Sequence, residues 1–131
     1  MADQSLGHAT GGVRALLQVE GAALLVAGLF SYEYLGGDWI WFAILFLVPD
    51  LSMLGYLAGP RLGAFAYNAA HSTLGPLAAG VALAILGRFE FMPYAVIWFA
   101  HIGFDRMLGY GLKYSSAFGD THLLRLGRQS N

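Results

Sequence analysis

The sequence predicts an all-α membrane protein, with four transmembrane helices in an antiparallel bundle and both termini on the cytoplasmic side. Three observations predict it. Hydrophobic residues fill 57% of the 131 positions and charged residues only 11%, more apolar surface than a soluble domain of this size can hide. The apolar residues fall into four runs, each near the ~20 residues that a helix needs to cross the hydrocarbon. Short breaks bearing glycine, proline or charge separate the runs.

The first run covers residues 13–35, after a polar tail of residues 1–12. That tail lacks the basic region and cleavage site of a signal peptide, so the first helix is expected to be retained. "GGD" at 36–38 leads into the second run, 39–57, "AGPR" at 58–61 into the third, 62–86, and "GRFE" at 87–90 into the fourth, 91–112. The transmembrane domain is therefore expected over 13–114, with 115–131 as a cytoplasmic tail. Four crossings put Arg14, Arg61, Arg106, Lys113, Arg125 and Arg128 on one side. Arg88 lies opposite with Glu33, Asp38 and Glu90. Cytoplasmic loops collect positive charge, which sets the orientation. Tyr32, Tyr34, Trp39 and Trp41 fit an aromatic belt at the outer interface. Gly55, Gly59 and Gly63, spaced by four, would let helices approach closely, and such faces also suit a homodimer.

Zero cysteines exclude disulfides, thiolate zinc sites and iron–sulfur clusters. No Walker loop, nucleophile elbow or basic aromatic patch is present, so nucleotide, serine-hydrolase and nucleic-acid chemistry are set aside. The informative residues are the ionisable groups inside the apolar runs. Glu20, Asp50, His71, His101 and Asp105 come from all four runs, yet all fall roughly 10–16 Å below the cytoplasmic face. An unpaired charge at that depth costs several kcal/mol, so these groups are expected to meet and satisfy one another. His101 and Asp105 are four apart on one helical stripe. Asn68 lies three before His71 and four before Ser72, which suits Asn68 and Ser72 to orienting a neighbouring imidazole or carboxylate.

Two imidazoles and three carboxylates point to a divalent transition metal, zinc, manganese or iron, held by Glu20, Asp50, His71, His101 and Asp105. Such an ion makes water a nucleophile near neutral pH, with Glu20, Asp50 or Asp105 serving as base, and the reaction class is hydrolysis of a lipid-like or hydrophobic substrate. Arg61, Arg106 and Lys113 are placed to hold an anionic head group, and Asp120 with His122 to cap the pocket from the tail. Pro49 frees a backbone carbonyl beside Asp50. Two other uses of the same residues stay open: proton-coupled transport of a small molecule or ion through the carboxylates, and a non-catalytic network pairing Glu20, Asp50 and Asp105 with Arg14, Arg61 and Arg106. Haem is disfavoured, because three carboxylates would crowd an apolar macrocycle.

The strings "VPDLSMLGYLAGPRLGAFAYNAAH" (48–71), "WFAHIGFDRMLGYGLKY" (98–114) and "FGDTHL" (118–123) closely resemble a family of small bacterial integral membrane proteins known as domain of unknown function 4260. The resemblance implies a four-helix protein of the bacterial inner membrane, with Glu20, Asp50, Asn68, His71, His101, Asp105, Lys113, Asp120 and His122 within its motifs. It implies a topology and no reaction.

Overall fold

A computed structural model describes residues 11–110, and every element in that range is helical. In chain order these are α1 (Gly11–Tyr34), α2 (Trp39–Leu45), a 3-10 segment (Val48–Ala58), α3 (Pro60–His71), α4 (Leu74–Ile85), a 3-10 turn (Phe89–Phe91) and α5 (Met92–Met107). The tail residues Lys113, Asp120, His122, Arg125 and Arg128 lie outside the described range.

Two stretches are long and apolar enough to cross a membrane: α1, and Trp39–Ala58 taken as one unit. The second is not a uniform helix. Its α-helical turns stop at Leu45, and eleven residues of 3-10 helix follow with Pro49 in the first turn. So long a 3-10 run is unusual, and here it carries Asp50. The third run of the sequence is likewise divided. α3 closes at His71, where Ser72 turns to extended backbone and its hydroxyl accepts the Leu74 N–H at 3.2 Å. Pro76 follows, lacking the N–H that would bond to the carbonyl of Ser72 in a continuous helix. The single third span is thus two twelve-residue helices, each about 18 Å long.

α5 is the centre of the assembly, packed chiefly on α1 and also on α4 and α2, while α3 packs on the 3-10 segment. The α1–α5 seam is backbone on backbone. A Cβ on Gly21 would stand 2.6 Å from the Arg106 Cβ, and one on Gly103 would stand 2.7 Å from the Gly21 carbonyl oxygen. Neither position tolerates a side chain without separating the helices. Of the glycines spaced by four, Gly55 and Gly63 do lie in the seam between the 3-10 segment and α3. Gly59 instead serves the turn between them, at φ +119°.

The core is thin and the exterior apolar. Buried hydrophobic residues are Tyr32, Ala64, Tyr67, Ala95, Ile97, Ala100 and Ile102, whereas Phe30, Phe65, Leu57 and Ile85 are each more than 70% exposed. Tyr32 therefore belongs to the core and not to an interfacial belt. Its ring meets Trp39 and Phe42 edge-on at 5.0 Å, and its hydroxyl donates to the Asp38 carbonyl at 2.5 Å. Asp38 in turn caps α2, its side chain accepting the Ile40 N–H at 2.8 Å. From this corner the rings continue through Phe42 and Phe46, 5.4 Å apart, to His101, 5.0 Å from Phe46.

Candidate metal centre

Among the described residues the buried polar side chains are two, His71 and His101, and they face each other. His71 is the last residue of α3, and His101 lies in the middle of α5. Their Nε2 atoms are 3.1 Å apart. Asp50, from the 3-10 segment, places Oδ1 3.2 Å from both nitrogens. Asp105, one turn after His101, places Oδ2 3.3 Å from His71 Nε2 and 3.2 Å from His101 Nε2. One donor atom from each of the four residues lies within 4.8 Å of the others, so the group could hold a metal ion.

The hydrogen bonding of His71 fixes what it presents to this group. Its Nδ1 is 2.9 Å from the Tyr67 carbonyl, which can only accept, so Nδ1 carries a proton and Nε2 is the ring nitrogen turned toward the group. The Tyr67 ring lies parallel to the imidazole at 3.8 Å and holds its plane. His101 is held by packing instead. Its Nδ1 is buried without a partner at hydrogen-bonding geometry, and the Phe46 ring closes over its edge.

Two carboxylates and two imidazole nitrogens at contact distance require positive charge between them. Among the described residues no lysine or arginine supplies it. The ion pairs there join Asp50 and Asp105 to the histidines, and Arg88 to Glu90 at 3.2 Å. Protons on the imidazoles, or one cation shared by all four residues, meet the need. The distances suit the cation. A tetrahedral ion bonded at about 2.0 Å to nitrogen and oxygen has six ligand-to-ligand edges of about 3.3 Å; the five that involve a histidine measure 3.1–3.3 Å here, and the two carboxylates lie within 4.8 Å of each other.

Glu20 is not in the group. It lies on the exposed side of α1, and its charge acts on Arg106. Its depth matches the other acids, but its direction does not: the neighbouring Gly21 is the residue that faces α5, and Glu20 stands about 100° around the helix from it. Asn68 and Ser72 sit at the end of α3, where the Ser72 N–H bonds to the Asn68 carbonyl at 2.8 Å. Ser72 thus closes the helix just after His71. Arg61 is exposed at the start of α3. Arg106 is half-buried and, with Tyr67, His71, Asp105 and Tyr110, lines a narrow crevice against the group.

Tyr67, Phe46 and Trp98 were not singled out by the sequence. Tyr67 precedes His71 by four residues, the spacing at which helical side chains stack, so that signal was present. Trp98 ties α5 to α3, its indole N–H donating to the Ala70 carbonyl at 2.5 Å. Nothing in the local sequence indicates that contact.

Fold and site define a class: a chain helical throughout its described elements, with an apolar exterior and a buried pair of histidines faced by two aspartates. The chain belongs to the family described as domain of unknown function (DUF4260), which matches residues 14–126. No curated protein and no solved structure matches it.

Proposed function

We propose that the protein is a membrane-embedded metalloprotein that binds one divalent first-row ion through Asp50, His71, His101 and Asp105 and uses it for hydrolysis of a hydrophobic substrate. The observation that carries the reading is the convergence of two buried imidazoles and two carboxylates from three elements, with one ligand atom of each within 4.8 Å of the others. Nitrogen and oxygen donors suit zinc, manganese or iron. The bound ion would polarise a substrate carbonyl or lower the pKa of a water.

The four ligands differ in what they can do. His71, His101 and Asp105 have side chains 3%, 1% and 15% exposed, and they form the fixed part of the site. The Asp50 side chain is 38% exposed and sits on the 3-10 segment. A ligand open on one side is free to leave the ion to substrate and to take a proton, the role of general base. A purely structural site would close all four. The apolar exterior and the two membrane-length stretches support placement in a bilayer. The arginine distribution supports cytoplasmic termini, and the compartment proposed is the bacterial inner membrane.

Cobalt titration tests the site. Chelator-treated protein should take up one Co(II) per chain with the intense visible absorption of a tetrahedral complex, and His71→Ala should abolish it. A folded wild-type protein that develops no such band refutes the reading.

A further inference from the structure

Beside the four ligands lies a cavity of about 330 Å³, walled mainly by Val48, Pro49, Ser52, Ala70, Ile97 and Trp98. Each wall is the continuation of a ligand's own element. Pro49 adjoins Asp50, Ala70 adjoins His71, and Ile97 precedes His101 by one turn on the same face of α5. Tyr94, a further turn back, extends the lining, so along α5 the lining residues span about 6 Å, toward the start of the helix.

Apart from the Tyr94 hydroxyl, the walls offer a ligand almost nothing polar. The Ser52 hydroxyl donates to the Pro49 carbonyl at 2.7 Å, and the Trp98 N–H donates to the Ala70 carbonyl at 2.5 Å. A largely apolar space of this kind favours hydrocarbon over water. Its volume is at the low end of the roughly 300–1,000 Å³ of ligand pockets, room for one chain and not two. The four ligands are not among the lining residues, but Pro49, Ala70 and Ile97 set this largely apolar space next to the carboxylate–imidazole group. That juxtaposition suits an amphiphile.

We propose that this cavity holds the hydrocarbon chain of a single-chain amphiphile, whose polar end lies against Asp50, His71, His101 and Asp105. The assignment rests on the hydrolase reading of that site and gives its substrate class. Because Val48, Pro49 and Ser52 share a segment with Asp50, an occupied cavity also braces the most exposed ligand.

Photolabelling of the full chain in phosphatidylcholine nanodiscs tests it, using octanol with a terminal diazirine as the probe. Label should concentrate on residues 45–52 and 94–98, above the apolar surface at Leu62 and Phe65. Ala70→Leu and Val48→Trp each fill the cavity and should cut that label about tenfold, with labelling elsewhere unchanged. Val48 is 48% exposed, so its substitution leaves the core intact. Even labelling of all apolar faces, or label untouched by both substitutions, overturns the proposal. So does equal labelling by a two-chain diazirine phosphatidylcholine. The chain readout needs no metal. Wild-type protein that labels as expected but takes up no ion contradicts only the metal reading, and protein that takes up the ion but labels evenly contradicts only this one.

Discussion

At the residue scale, the site depends on which atom each ring turns inward. His71 is oriented by a backbone carbonyl, so Tyr67→Leu keeps the hydrogen bond to position 67 and removes only the stacked ring. We expect that variant to weaken metal binding by about 10–100-fold without abolishing it, the usual effect of disturbing a ligand's support. Asp105→Asn should cost more affinity than Asp50→Asn, because Asp105 is the more buried of the two and contacts both imidazoles from a rigid helix. Competition titration with a chromophoric chelator measures both, and equal losses would contradict the distinction between fixed and open ligands. Glu20→Gln should leave binding unchanged. Most of the gathered residues were legible in the sequence, since burial depth and the four-residue step from His101 to Asp105 are properties of a helix. Glu20 misled because depth along a helix says nothing about direction around it, and Gly21 held the clue.

At the element scale, the α1–α5 seam carries the structure that presents His101 and Asp105. Gly103→Val places a branched side chain against the Gly21 carbonyl and the Leu25 backbone. Overpacking of this kind costs about 1–3 kcal/mol, and the thermal midpoint should fall by several degrees. An unchanged midpoint would mean that the helices are not in such contact. Run lengths and inter-run breaks were readable from composition. The interruptions at Phe46–Leu47 and Ser72–Thr73 were not, because apolar residues continue through both and hydropathy does not register a change from α to 3-10 geometry. Local chemistry did mark the second: a serine that can accept its own turn's N–H, followed by proline.

At the scale of the whole molecule, large apolar side chains face outward on nearly every described helix, while two histidines are buried inside. The proposed topology is testable because the chain has no cysteine. A single cysteine in place of Tyr34, which is 91% exposed, should react with an impermeant maleimide from outside intact cells. One at Ala2 should react only after lysis, and the reverse pattern would overturn the assigned orientation. An ion shared by the 3-10 segment, α3 and α5 should also stabilise the fold. At a hundredfold excess over Kd the gain is about 2.7 kcal/mol, visible as a higher thermal midpoint that EDTA reverses. The measurement that bears most directly on the whole account is elemental analysis of protein purified without added metal. The account predicts about one zinc, manganese or iron per chain, lost from folded His71→Ala and His101→Ala. Folded wild-type protein that carries no transition metal, and takes up none when zinc, manganese or iron is supplied, would contradict it.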